Sequence, residues 1–281
     1  MRMPEKVLSF ESEGESLMGI LSEPVQPARW AVLILVGGPQ YRVGSHRQFV
    51  SLARALSRAG VAAFRFDFQG MGDSSGALQG FEHHGADIRA AADAVMAELP
   101  DLAGIVLWGL CDAASAALLY MDERADARIR GLVLVNPWVR SEHSLAQAHL
   151  ALYYRQRLRQ PEFWKKLLSG RVAWRALTEW GRKLAAARAP VSGLAKGSFQ
   201  HRMALAWRKF GGRILLISAS ADLTAREFDE ALKTQPDWQG ALNRPGLSRV
   251  DIADADHTFS RRAHQDMLER ATADWVLGLD H

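Results

Sequence analysis

The segment GIVLWGLCDAA, residues Gly104–Ala114, decides the fold. Its first seven residues are apolar or glycine and predict a buried β-strand. Gly109 and Ala113 then stand two residues before and two residues after Cys111. Where a strand turns sharply into a helix and carries a reactive residue at the turn, the backbone is strained, so both flanking positions must be small. The segment therefore predicts a nucleophile at Cys111, the only cysteine of the chain.

The surroundings of Cys111 influence its reactivity in opposite directions. Residues Ala113–Tyr120 are rich in alanine and leucine and predict a helix, whose N-terminus would favour a thiolate. Asp112 places a negative charge beside the sulfur and opposes this effect a little. A lone cysteine in an apolar segment is more often a buried small hydrophobe, so its role depends on the partners that the fold places beside it.

Two later segments supply those partners, each behind a predicted strand. The run Arg213–Asp222 ends at Asp222, and the run Val250–Phe259 ends in a loop that carries His257. In this chemistry the histidine takes the thiol proton and later donates it to the leaving group, while the carboxylate fixes the imidazole tautomer. We therefore predict a catalytic triad of Cys111, His257 and Asp222.

The chain order of nucleophile, acid and histidine is that of the α/β-hydrolases, and two loops strengthen the resemblance. Residues Phe64–Gly76, FRFDFQGMGDSSG, closely resemble the D-x-R-G-x-G-x-S-x-G segment of that superfamily, with Gln69 in place of the usual arginine. Residues Val36–Pro39, VGGP, are similar to its H-G-G-P segment. The resemblance spans nearly the whole chain outside residues 138–211.

This resemblance implies an α/β fold with a mostly parallel central sheet, helices on both faces and an active site at the carboxyl ends of the strands. It also implies an oxyanion hole formed by the backbone N–H groups of Gly38 and Asp112, since Pro39 has no N–H to donate.

A longer string, Gly37–Gln48, resembles the exosortase A system-associated hydrolases, which are encoded beside exosortases in bacteria that make exopolysaccharide. That likeness implies an accessory role in envelope or exopolysaccharide biogenesis but does not name a substrate. On the same loop we expect Tyr41 and Arg42 to approach the substrate, with Arg42 suited to a carboxylate or phosphate. His46 either contacts the substrate or caps the next helix.

The alternation of strands and helices predicts a hydrolase core made of residues 1–137 and 212–281. Residues 138–211 break the alternation and are predicted to form a helical cap insertion. They carry fifteen lysines and arginines against three glutamates, whereas the formal net charge of the whole chain is only +4. The basic surface would attract an anionic substrate, a phospholipid headgroup of a membrane or an acyl carrier; the alternative is a set of helices with solvated basic faces. No nucleic-acid-binding motif accompanies the charge, so nucleic acid is not an expected partner.

The composition sets further bounds. With 281 residues and 48% hydrophobic side chains, the chain can bury a full core. A single cysteine excludes an intramolecular disulfide, and the start of the sequence lacks an apolar leader, so we expect a cytoplasmic protein. No pattern of metal ligands is present, and we expect neither a metal nor another cofactor. The sequence does not indicate an oligomeric state.

These features favour a hydrolase of carboxylic esters or thioesters that works through an acyl-Cys111 intermediate. Dienelactone hydrolases resemble this arrangement, since they use a Cys, Asp and His set. An acyltransferase with the same triad is the alternative, and a noncatalytic binding module is a third interpretation. The binding-module interpretation is disfavoured because the chain keeps the nucleophile, the acid, the histidine and the turn of small residues.

Overall fold

A mixed β-sheet forms the centre of the protein. The computed structural model describes residues 5–38, 40–140 and 194–280. Within these residues the sheet has eight strands in the order β1-β2-β4-β3-β5-β6-β7-β8. Strand β2 is antiparallel to both of its neighbours, and all other pairs are parallel. The strands are β1 (Glu5–Ser12), β2 (Glu15–Ser22), β3 (Trp30–Leu35), β4 (Ala62–Phe66), β5 (Gly104–Leu110), β6 (Ile129–Val135), β7 (Arg213–Ala219) and β8 (Leu247–Ile252).

Helices cover both faces of the sheet, which confirms the predicted α/β-hydrolase architecture. In the described residues these are α1 (Gln48–Arg58), α2 (Gly85–Glu98), α3 (Asp112–Glu123), α4 (Phe199–Lys209), α5 (Leu223–Thr234) and α6 (Arg262–Leu277). Successive side chains of a strand point to opposite faces. Leu33 accordingly packs in the core layer with α2 and α3, whereas Val32 packs in the layer with α1 and α6. Burial on both faces explains why the central strands read as continuous apolar runs.

The sheet topology decides where the functional side chains meet. Strands β5, β6, β7 and β8 are consecutive parallel neighbours. Cys111 follows β5, while Asp222 and His257 lie in the loops that follow β7 and β8. Because the carboxyl ends of parallel strands lie at one edge of the sheet, three residues far apart in sequence reach the same edge.

Most of the predicted cap insertion, residues 141–193, lies outside the described residues, so its boundaries at 138 and 211 stay a prediction. Residues 194–211 are described, and they include α4, which packs on α3. Trp207 of α4 is fully buried against Phe228 and Trp238, and its indole N–H donates to the carbonyl oxygen of Ala241 at 3.0 Å. This tryptophan therefore belongs to the core.

Of the helices in residues 5–140 and 194–280, none combines the length and apolar character needed to cross a bilayer.

Candidate active site

Cys111 occupies a tight turn between a strand and a helix. Strand β5 ends at Leu110, helix α3 begins at Asp112, and Cys111 between them has φ 64° and ψ −125°. A non-glycine residue at such a φ is strained, and strain of this kind concentrates at functional sites. A Cβ on Gly109 would lie 2.5 Å from the carbonyl carbon of Ala113, so only glycine lets α3 turn back so closely. The predicted small-residue requirement thus has a steric basis.

The backbone of the turn is anchored to the neighbouring chain. The N–H of Cys111 donates to the carbonyl oxygen of Val135 at 2.9 Å, and its own carbonyl oxygen accepts from the N–H of Trp138 at 3.2 Å. These bonds join the end of β5 to the end of β6. The strained conformation is therefore held from both sides.

His257 and Asp222 form a hydrogen-bonded pair. The Nδ1 atom of His257 lies 2.9 Å from Oδ2 of Asp222, which is 6% exposed. Asp222 also caps α5, since its carboxylate accepts from the N–H groups of Thr224 and Ala225 at 3.2 Å each. The position of the acid is thereby fixed by a helix as well as by the histidine.

The loop of His257 is tied to the sheet by Asn136, which follows β6. The Asn136 amide oxygen accepts from the N–H of Ala219 at 2.8 Å, and its amide nitrogen lies 3.4 Å from the carbonyl oxygen of His257. One buried side chain therefore links the ends of β6 and β7 to the histidine loop. The sequence alone did not indicate this role.

The electrostatics of the pair favour a charged imidazole. The hydrogen bond to Asp222, followed by an interaction with Cys111, raises the pKa of His257 to about 10, although burial opposes the charge. Burial also opposes ionisation of Asp222, but the hydrogen bond and charge of His257 outweigh it and lower the pKa of that carboxyl. The arrangement favours a protonated histidine beside the sulfur.

Cys111 and His257 open into a common cavity of about 260 Å³. Backbone and polar groups line it together with aromatic and aliphatic side chains. The lining residues are Gly37, Gly38, Gln40, Phe49, Phe81, Leu110, Cys111, Asp112, Trp138, His257 and Thr258. We refer to this space as the active-site cavity.

The two residues of the predicted oxyanion hole lie side by side in this cavity. The N–H of Gly38 donates to the Asp112 carboxylate, with distances of 2.9 and 3.0 Å to its two oxygens. Burial raises the pKa of Asp112, and the hydrogen bond from Gly38 partly offsets that effect. The sequence suggested a role only for the backbone N–H of Asp112, whereas the structure also shows its side chain accepting from Gly38. Pro39 lies outside the described residues.

The structure places the three predicted substrate-binding residues outside the lining of this cavity. Arg42 is 5% exposed and ion-paired with Asp67 and Asp73. Tyr41 is 44% exposed and lies under the Arg42 guanidinium, 4.6 Å from it. The Nε2 atom of His46 lies 3.0 Å from the carbonyl oxygen of Thr258, beside the cavity, and no side chain caps α1.

Arg42 provides a test of stability. Asp67 is fully buried, and it also accepts from the backbone N–H of Arg42 at 2.7 Å. We expect Arg42→Ala to lower the free energy of unfolding by about 3–5 kcal/mol, because it leaves a buried carboxylate without its cation. Denaturant unfolding measures this loss.

The matched control is Asp73→Asn, which removes the half-exposed partner of the same arginine. It should cost less than about 1 kcal/mol, the usual value for a solvated pair. Equal losses in the two variants would contradict a structural role for the buried pair.

Sequence reasoning did not identify the apolar wall of the active-site cavity. Phe49 lies on the first turn of α1, Phe81 precedes α2 and Trp138 follows β6. Each lies in the sequence after a strand whose carboxyl end reaches the edge of the sheet with Cys111, and this position was the available signal for a place in the cavity wall. Aromatic residues are equally common in cores, so the pattern could not separate a cavity wall from packing.

Comparison with known proteins shows the family of the chain. The sequence model of the family described as serine aminopeptidase, S33, matches residues 26–203, more than half of the chain. The protein belongs to this S33 family. It is therefore a hydrolase of the α/β-hydrolase superfamily. The family description specifies a serine, whereas this S33 protein carries Cys111 at the turn between β5 and α3.

Solved structures share the fold of this S33 protein at low sequence identity. An esterase from Pyrococcus furiosus aligns with a TM-score of 0.66 and 15% identity over 99% of this chain and 91% of its own. Est1E from Butyrivibrio proteoclasticus, with ferulic acid bound, aligns with a TM-score of 0.63 and 15% identity over 97% of this chain and 98% of its own. A dienelactone hydrolase from Anabaena variabilis aligns with a TM-score of 0.62 and 15% identity over 99% of each chain. No curated protein sequence matches the chain significantly.

Proposed function

We propose that this S33-family hydrolase cleaves carboxylic ester or thioester bonds through an acyl-Cys111 intermediate. The observation that carries the proposal is the position of Cys111, at a strained turn and in one cavity with the hydrogen-bonded pair His257–Asp222. Nucleophile, base and orienting acid are the three parts that covalent acyl transfer requires.

The reaction follows from these three side chains. The Cys111 sulfur, having given its proton to His257, attacks the substrate carbonyl carbon and forms a carbon–sulfur bond. As the tetrahedral intermediate collapses, the imidazolium donates its proton to the departing alcohol or thiol. A water molecule then attacks the acyl-cysteine while His257 takes a proton from it. The acid leaves, and the thiol regains its proton.

The active-site cavity suits a small acyl group with apolar character. Its volume of about 260 Å³ is below the usual range for drug-sized ligands. Phe49, Phe81 and Trp138 offer aromatic surfaces to a ring. Ferulic acid, which is bound in Est1E, has this kind of ring, and we propose short aliphatic or single-ring acids as the acyl class.

The first experiment combines turnover with intact mass. Purified protein is incubated with activated esters and thioesters of increasing acyl length, and peptide mapping locates any adduct. We expect an acyl adduct on Cys111 and the fastest product release with the shortest or single-ring acyl groups. Product release without any adduct on Cys111, even under rapid quenching, would contradict the covalent mechanism.

The same experiment separates hydrolysis from acyl transfer. Adding an alcohol acceptor such as glycerol tests which nucleophile releases the acyl group. Release that depends on the acceptor and yields a new ester, with little free acid, would indicate a transferase. Free acid at a rate independent of the acceptor supports the hydrolase.

The resemblance of Gly37–Gln48 to exosortase-associated hydrolases supports a proposed accessory role in envelope or exopolysaccharide biogenesis. Deletion of the gene should then alter exopolysaccharide output, and complementation with the Cys111→Ala variant should fail to restore it. Restoration by that variant would instead favour a noncatalytic binding role.

A further inference from the structure

The Asp112 carboxylate lies in the active-site cavity beside Cys111 and engages one of the predicted oxyanion donors. Both of its oxygens accept from the N–H of Gly38, at 2.9 and 3.0 Å. The side chain therefore takes up the N–H of Gly38, one of the two predicted oxyanion donors.

The same donors are the ones that acyl transfer needs. When a nucleophile attacks a carbonyl group, negative charge develops on the carbonyl oxygen, and N–H groups aimed at that position stabilise the transition state. Gly38 and Asp112 supply these N–H groups beside Cys111. While the carboxylate accepts the hydrogen bond of Gly38, that N–H is not available to the substrate, and the negative charge of the carboxylate would repel the developing oxyanion.

We propose that Asp112 determines which electrophiles react with Cys111, because its side chain is the resting occupant of the oxyanion pocket and must be displaced before acylation. This inference rests on the proposed acyl-Cys111 chemistry. Side-chain rotation would release the N–H of Gly38 to the substrate. His257 lies close enough for its positive charge to stabilise the Asp112 carboxylate, so a charge partner is present in the same cavity.

The proposal separates two kinds of reaction at one sulfur atom. Alkylation by iodoacetamide displaces iodide at a saturated carbon and forms no oxyanion, so it does not require the carboxylate to move. Acylation by p-nitrophenyl acetate forms an oxyanion and does require it. The ratio of the acylation rate to the alkylation rate therefore reports the occupancy of the pocket, and any general change in thiol reactivity cancels from it.

The test measures both rates by intact mass in the wild-type protein, Asp112→Ala and Asp112→Asn. We expect Asp112→Ala to raise the ratio at least about tenfold, since a hydrogen bond to a charged group commonly contributes that much to an equilibrium. Asp112→Asn should give a smaller rise, because the amide oxygen can still accept from Gly38 but carries no charge. The control is Asp101→Ala, which removes an exposed carboxylate before β5, at the end of that strand remote from Cys111. It should leave the ratio unchanged.

Each outcome decides the matter. A ratio that is unchanged or lower in Asp112→Ala, with acylation still observed, overturns the role of Asp112 and leaves the proposed function standing. Equal acceleration of both reactions also overturns it, because the carboxylate would then act only on the thiol. Alkylation without acylation in all of the proteins would overturn the proposed function together with this inference.

Discussion

Replacement of Cys111 by alanine is expected to lower kcat/KM for activated esters by at least about 10³-fold and to abolish the acyl adduct. In the proposed mechanism the sulfur forms the covalent intermediate, and without it water must attack the substrate directly. The substrate cavity and the pair His257–Asp222 remain, so the expected residual activity is above that of the uncatalysed reaction. Stopped-flow product release and intact mass measure the two effects.

The Cys111→Ser variant is the matched companion, because it keeps a nucleophilic atom at the same turn. We expect its activity at neutral pH to stay close to that of the alanine variant. A serine hydroxyl is a much weaker acid than a thiol, so it does not form an anion beside a charged imidazole and must lose its proton during the attack itself. Activity equal to that of the wild-type protein would show that the site works as a serine hydrolase site and that the sulfur is dispensable.

Replacement of Asp222 by asparagine is expected to lower kcat by about 10³–10⁴-fold, the scale seen when the orienting carboxylate of a triad becomes an amide. The amide cannot stabilise the imidazolium, and it favours the wrong tautomer of His257. The pKa of His257 should fall from about 10 towards its ordinary value, which NMR titration of the ring measures. An unchanged histidine titration would contradict the assigned role.

The same substitution separates catalysis from folding. Asparagine is as good an N-cap as aspartate, so α5 should keep its cap in Asp222→Asn. Asp222→Ala loses the cap as well, so its free energy of unfolding should be lower than that of Asp222→Asn by about 0.5–2 kcal/mol. Similar stability of the two variants would show that the hydrogen bonds to Thr224 and Ala225 contribute little.

The pair His257–Asp222 makes the free energy of unfolding depend on pH, both at acidic and at alkaline pH. The raised pKa of His257 gives stability that is fully present below 6.5 and is lost as pH rises through about 10. The lowered pKa of Asp222 gives stability that is present above 3.8 and is lost as pH falls through the folded value. Between pH 3.8 and pH 6.5, the free energy of unfolding of the wild-type protein should therefore exceed that of Asp222→Asn by the largest margin.

Much of the fold was predictable because the decisive signals are local. Strand β5 is a continuous apolar run, and the glycine and alanine around Cys111 fit one kind of turn. The order of Asp222 and His257 along the chain then restricts the topology, because each follows a strand of the same parallel sheet. These signals depend on spacing and residue type, which the sequence shows directly.

The placement of charged side chains was not predictable in the same way. Arg42 stands four residues after Gly38, and its position suggested a contact with substrate. Its guanidinium instead pairs with Asp67 and Asp73, and this choice depends on the packing of the loop after β4. The direction of the Asp112 side chain is likewise a rotamer, decided by hydrogen bonds that form only when the loop after β3 meets α3.

Cys111 is the only thiol in the protein, and it lies partly exposed at the cavity. A thiol-specific reagent consequently measures the concentration of reduced Cys111 directly, because no other residue of the chain consumes it. The same feature makes the proposed activity sensitive to oxidation, because oxidation of the Cys111 sulfur removes the one proposed nucleophile. Preparations should be compared per titrated thiol, and a loss of activity on storage that a reductant reverses would trace to that atom.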